Sequence, residues 1–171
     1  IEQHGRVSET RPRKGTSSRA GTPEADAEAR RVLSTDVKQR AENLMIVDLM
    51  RNDLGRIAIP GSVRATNVFD VERYATVLQL TSTVSAETRA SLTDVMAALF
   101  PAASVTGAPK ARTMAIIAEL EGAPRRIYTG SIGFIEPGGR AQFNVAIRTI
   151  AVEKSTGEAE YGVGGGIVAD S

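Results

Sequence analysis

There is no cysteine among the 171 residues. Disulfides and thiolate metal sites are therefore excluded, and a reducing, cytoplasmic setting is the expectation. No apolar run approaches the ~20 residues that a bilayer-spanning helix needs. The first ten residues, IEQHGRVSET, contain no apolar signal region. An excess of one charge is missing too. The 21 Lys and Arg face 20 Asp and Glu, so nothing suggests general attraction to nucleic acid. Histidine occurs once, as His4 near the chain start, and is given no role. Lysine is confined to Lys14, Lys38, Lys110 and Lys154, and arginine carries most of the positive charge. An initiator methionine is lacking, and the C-terminal GGGIVADS stops directly after a strand-like run. Domains usually end in polar, weakly tied segments. The expectation is a partial catalytic domain over residues 1–171, cut from a longer enzyme.

What is present has the length for one domain with a core, and no internal repeat. Residues 1–10 suggest a polar strand leading into a loop that carries Lys14, and TSSRAGT (16–22) has loop composition. Thr22-Pro23-Glu24 signals a helix start, with a first helix from 23 to about 33. A second helix begins near Thr35-Asp36 and runs to about Leu54. Residues 70–87 are rich in β-branched side chains and predict one or two strands. TDVMAALF (93–100) predicts a short helix capped by Thr93. Another helix is expected from Pro109 to about Leu120. RIYTGSIGFIE, AQFNVAIRTIAVE and EAEYGVGGGIVA then read as successive antiparallel strands. Helices and strands are segregated, so the class is α+β.

Four stretches carry chemical possibilities. Lys14, in RPRKGT, is either part of a solvated basic loop or a nucleophile. In the second helix, Leu44 to Met50 is apolar nearly all round except for Asp48, which has Arg51 as a local partner. Glu42, Met45 and Leu49 share a face by helical spacing. A carboxylate among apolar neighbours needs a cation, and spacing leaves an arginine and a metal ion equally open. In SVTGAPKAR (104–112), Ser104, Thr106 and first-turn amides suit an anion, but an ordinary helix start is the commoner meaning. The stretch lacks P-loop glycine spacing, which argues against nucleotide binding. The glycines of the last third mark either bulges or a close approach to the backbone. Alternation in QFNVAIRT puts Asn144, Ala146 and Arg148 on one face and Phe143, Val145 and Ile147 in the core. Arg148 there suits a substrate carboxylate or a cross-strand acid.

KGT, RAENLMIVDLMRNDLG, PGSV, SVTGAPKAR, GSIGF, FNVAIRT and GGGIVADS follow one another as in the chorismate-utilising enzymes, and the whole chain resembles that family. The resemblance implies two antiparallel sheets packed face to face, with outer helices and an active site between the sheets. It implies Mg²⁺ as cofactor, with Glu42 a ligand, and chorismate as substrate. Tyr128, Arg148 and the backbone of Gly164 and Gly166 match positions that hold the substrate's carboxylates. Thr16 and Ser104 match positions lining the site.

Lys14 is similar to the lysine of the branch that replaces chorismate's hydroxyl with an amine, on the way to para-aminobenzoate and folate. That branch takes ammonia from a glutamine amidotransferase partner. The alternatives are the anthranilate-forming branch, which usually has alanine at this position, and an inactive chorismate-binding module. In the aminating branch the lysine adds to the ring and ammonia displaces it. Such a lysine must be neutral, whereas a lysine at its ordinary pKa of ~10.4 is neutral in about one part in a thousand near pH 7.4. Flanking Arg11 and Arg13 are expected to supply the repulsion that frees the amine. The resemblance also places a general-acid glutamate upstream of residue 1 and further Mg²⁺ ligands downstream of Ser171. Two departures stand out: Arg13 replaces an isoleucine, and Gln79 stands where many relatives have a histidine associated with pyruvate elimination.

Overall fold

Thr22, Asp36 and Ser91 each place a side-chain oxygen over an otherwise orphaned backbone amide, and helices begin there. The computed structural model describes residues 1–166. Thr22 Oγ1 accepts from the Ala25 amide at 3.3 Å, and Pro23 takes the first position of α1 (Pro23–Thr35). Asp36 accepts from the Gln39 amide at 2.7 Å and opens α2 (Val37–Gly55). α3 (Leu92–Leu99) is capped by Ser91 rather than by Thr93. Ser91 Oγ accepts from the Asp94 amide, and the Asp94 carboxylate accepts from the Ser91 amide, a reciprocal capping box that Thr93 has no way to make. α4 (Lys110–Glu121) ends at Gly122 in the left-handed conformation.

The strands are β1 (Glu2–His4), β2 (Val7–Thr10), β3 (Arg13–Ser18), β4 (Arg64–Arg73), β5 (Val77–Glu87), β6 (Ser131–Ile135), β7 (Ala141–Val145), β8 (Ile150–Val152) and β9 (Ala159–Tyr161). The class is α+β, with antiparallel pairing throughout β1–β5, β6–β7 and β8–β9. The chain forms two compact units, Ile1–Leu99 and one beginning at Phe100.

In the first unit, β5 is the spine. β4 pairs along one edge; β3 and then β2 share the other, and β1 folds back on β2. Leu78, Leu80, Ser82, Val84 and Ala86 alternate to a buried face of β5. Leu33 of α1 joins Leu78, Leu80 and Val71. α2 lies against β3 and β5 and buries Ile46, Val47, Met50 and Leu54. It is not buried nearly all round: Leu44 is 46% and Met45 44% exposed, because only one side meets the sheet. Lys14 and Thr16 lie in strand β3 rather than in a loop, because β3 pairs with the edge of β5 on both sides of Lys14, at Arg13 and from Thr16 onward.

In the second unit, β6 pairs with β7 and β8 with β9. The single strand expected over 141–153 is broken, since Arg148 has φ +53°, which an extended strand does not allow. Ala146 is buried and bonds through its backbone to Thr129 and Gly130, while Ile147 turns outward instead of into the core.

Asp26 ties α1 to the end of β3. It accepts from Arg19 Nε (2.9 Å), Arg19 Nη2 (2.7 Å) and the Ala20 amide (2.7 Å). The Arg19 guanidinium first, and the Ala20 amide second, hold its carboxyl below the usual aspartate pKa. A carboxyl whose folded-state pKa is depressed contributes stability above its unfolded value and loses that contribution as pH falls through the folded one. Denaturant unfolding followed from about pH 6 down to about pH 2 should therefore show a steeper acid loss in wild type than in Asp26→Asn. Identical acid limbs would remove Asp26 from the account of acid stability.

Candidate functional site

β3 pairs with β5 out of step. Arg13 lies opposite Thr81 and Thr16 opposite Gln79, so Lys14 and Gly15 together face Leu80. This is a β-bulge, a device that re-aims side chains. It brings Arg13 and Thr16 onto the face of Gln79, whereas regular alternation would separate them. It also turns Lys14 towards α2, where Nζ lies 3.5 Å from Glu42 Oε2. Gly15 makes this possible. Its φ is +97°, and a Cβ there would sit 2.9 Å from Gln39 Oε1 and 3.1 Å from Leu80 Cβ.

Asn43 fastens the bulge from the helix side. Its side chain is fully buried. Nδ2 reaches the carbonyls of Lys14 and Leu80, both at 3.5 Å, and Oδ1 accepts from Ser82 Oγ at 2.6 Å. Ser82 Oγ in turn accepts from the Phe69 amide at 3.1 Å, beside the register shift between Thr66 and Asp70 in β4. One side chain of α2 thus links it to both strands that carry the site. From the other face, Gln79 Nε2 donates to Gly15 O at 2.8 Å and to Thr16 Oγ1 at 3.0 Å. Sequence reasoning noted Gln79 only as a departure and missed Asn43. The signal available was a lone amide inside an otherwise apolar helical stretch.

The cation that Glu42 needs is a lysine, which spacing along one helix did not reveal. The side chains of Lys14 and Glu42 are 34% and 22% exposed. A pair this open to water is worth about 1 kcal/mol or less, so either partner can be exchanged cheaply. The flanking arginines do not face Lys14 as free charges. Arg11 pairs with Glu9 at 2.9 Å, and Arg13 with Glu72 at 3.7 Å while lying over the Tyr74 ring. Tyr74 donates a short hydrogen bond to Glu72, and that bond, with burial second, raises the phenol above its ordinary pKa. Asp48 and Arg51 pair as expected, at 3.0 Å.

Glu42 is a hard oxygen donor that already holds a cation, which fits one carboxylate ligand of Mg²⁺, an ion usually bound through one or two carboxylates plus substrate. Among the described residues no group of three or more His, Cys, Asp or Glu is clustered for a metal.

In the second unit the structure brings Tyr128 onto the glycine-rich segment. A Cβ at Gly162 would collide with the Tyr128 ring, and one at Gly164 with its hydroxyl. Close approach, rather than a bulge, accounts for these glycines. Arg125 lies over the same ring, 5.8 Å from its centre, and is held by Glu121 (2.6 Å) and the Val105 carbonyl (3.0 Å). Arg148 is exposed, with no ion-pair partner among the described residues. Ser104 is exposed within a 3-10 turn, and the Thr106 hydroxyl is spent on the Ala102 carbonyl. Gly166 is the last described residue and is exposed; the IVADS that follows it lies outside the described residues. An open depression of about 570 Å³ beside β8 and β9 is lined by none of the expected site residues.

A family model for chorismate binding enzymes matches residues 1–171. An aminodeoxychorismate synthase of Streptomyces griseus is 53% identical over 171 residues, covering 99% of this chain and 23% of that protein. An anthranilate synthase component 1 of Streptomyces coelicolor is 45% identical, covering 100% of this chain and 34% of that protein. Among solved structures, anthranilate synthase component I from Streptococcus pneumoniae superposes with a TM-score of 0.73 at 36% identity, over 87% of this chain and 33% of that one. The chain thus spans about a quarter to a third of the length of these two curated relatives.

Asn43 gives the most direct structural test of this arrangement. Asn43→Ala leaves the Lys14 and Leu80 carbonyls and the Ser82 hydroxyl short of partners and should cost about 2–3 kcal/mol in urea unfolding. Asn43→Asp should cost more, because it sets an acceptor against two carbonyls. Equal stability of both variants and wild type would contradict the link between helix and bulge.

Proposed function

Since the chain belongs to the chorismate-binding enzyme family, we propose that it serves the amination of chorismate to 4-amino-4-deoxychorismate, with ammonia supplied by a glutamine amidotransferase partner. One observation carries the choice of amination within the family: the bulge of β3 aims a lysine amine, Lys14, at the half-buried carboxylate of Glu42. The 53% identity to an aminodeoxychorismate synthase supports the same choice.

Lys14 Nζ adds to the ring as the carbon–oxygen bond to the hydroxyl breaks, and the hydroxyl leaves as water with a proton from the amine. Ammonia then bonds to the carbon that lost the hydroxyl as the bond between Nζ and the ring breaks, and Nζ departs, taking back a proton. Glu42 holds the lysine before the reaction and is freed when Lys14 moves to the ring. Mg²⁺, when bound through Glu42, supplies positive charge that neutralises a substrate carboxylate. Tyr128, Arg148 and the backbone of Gly164 and Gly166 are assigned to the substrate's carboxylates, and Thr16 and Ser104 to the lining of the site. Arg148 favours this role because it is exposed and, among the described residues, has no ion-pair partner.

The test is product identification. The full-length enzyme, incubated with chorismate, Mg²⁺ and ammonia, should yield 4-amino-4-deoxychorismate by chromatography and mass spectrometry. Anthranilate as the product would place the chain in the other branch. For the metal, calorimetric titration of Mg²⁺ into Glu42→Gln should show affinity about tenfold or more weaker than in wild type. An unchanged affinity would reject Glu42 as a ligand.

A further inference from the structure

Gln79 stands in the middle of a row that crosses three strands: Thr16 of β3, Gln79 of β5 and Glu72 of β4. Its amide nitrogen lies 2.8 Å from the Gly15 carbonyl and 3.0 Å from Thr16 Oγ1. The orientation of this amide is dictated by chemistry. A carbonyl oxygen only accepts, so the NH₂ end must face Gly15. One N–H is then spent on Gly15 and the other on Thr16.

The consequence for Thr16 is a fixed polarity. Its oxygen accepts from Gln79, so its own proton is left for an acceptor elsewhere. Thr16 is exposed, and among the described residues its hydroxyl donates to none. It sits on the face of Arg13, two residues along from Lys14. An exposed donor on the face of the Arg13 guanidinium suits an acceptor-only oxygen, which is what a carboxylate supplies. The consequence for Gly15 is mechanical. Its carbonyl follows directly on the residue that carries the amine, and Gln79 holds it from the face opposite to Asn43.

We propose that Gln79 is a positioning residue with two separable tasks. One N–H holds the Gly15 carbonyl and so the bulge that aims Lys14. The other presents Thr16 as a hydrogen-bond donor to a carboxylate oxygen of the substrate. The identity of that substrate as chorismate rests on the reading under Proposed function.

The test is a double-mutant cycle on the full-length enzyme with chorismate, Mg²⁺ and ammonia. Gln79→Met keeps the side chain's length and removes both N–H groups. It should lower kcat about tenfold, through Gly15 and Lys14, and raise KM for chorismate about three- to tenfold, through Thr16. Thr16→Val should raise KM by a similar factor. In the double variant, KM should be no higher than in Thr16→Val alone, while the kcat loss of Gln79→Met persists. KM effects that multiply, or a Gln79→Met enzyme with wild-type kcat and KM, would overturn the proposal.

Gln79→His provides an independent check should the methionine variant fail to fold. A neutral imidazole carries one N–H, so it should keep one of the two effects and lose the other; wild-type values for both would overturn the proposal. Product identity in the wild type is scored separately. A product other than 4-amino-4-deoxychorismate defeats the functional reading, yet the cycle in KM for chorismate still decides the role of Gln79.

Discussion

A buried amide deprived of its partners costs about 1–3 kcal/mol for each group left unsatisfied, and Asn43 is fully buried. It finds its partners in the Lys14 carbonyl, the Leu80 carbonyl and the Ser82 hydroxyl. Those contacts fix how α2 docks on the sheet. The helix has no freedom to rotate or slide along β5 without breaking them, since its apolar contacts alone (Ile46, Val47, Met50, Leu54) tolerate small shifts and directional bonds do not. Glu42 is the neighbour of Asn43 in sequence, so fixing one fixes the other. The separation between Lys14 and Glu42 is therefore a property of helix docking as much as of the charges.

The bulge supplies the second half of the arrangement. An unbroken β3 would place Lys14 in register against β5, and the alternation of faces would run through it unchanged. The extra residue, tolerated because Gly15 takes a positive φ under Gln39, sends the amine to the helix side and leaves Thr16 on the other face. Asn43 and Gln79 hold this one irregular turn of chain from opposite sides. Strain at such a site persists only when its surroundings over-determine it, and two amides, a glycine and a strand pairing do so here. The partly exposed ion pair is the least constrained part, which suits the proposed role of Lys14, in which the amine leaves Glu42 for the ring.

Much of this was legible in the sequence, for identifiable reasons. Thr22-Pro23 and Asp36 mark helix starts because capping is local chemistry, and α1 and α2 begin where they indicate. Lys14, Glu42 and the Asp48–Arg51 pair stood out from spacing or from family resemblance. The cap of α3 was misplaced because Ser91 and Thr93 are both competent caps, and only the return bond from Asp94 selects Ser91. The strand through Arg148 was misread because nothing in an alternating run announces a residue at φ +53°. The extent of α2's burial was overstated because an apolar sequence does not say how many sides a sheet covers. Asn43 and Gln79 were missed as site residues because their roles depend on backbone carbonyls, which have no sequence signature.

The central claim is that the bulge presents Lys14, and no other lysine, as the amine that bonds to the substrate ring. Trapping full-length protein with chorismate while ammonia is withheld, followed by digestion and mass spectrometry, reads that claim directly. Added mass on the peptide containing Lys14, absent in Lys14→Ala, is the result the account predicts. An adduct that persists in Lys14→Ala, or that maps to Lys110, would contradict it and reduce the bulge to a solvated basic turn.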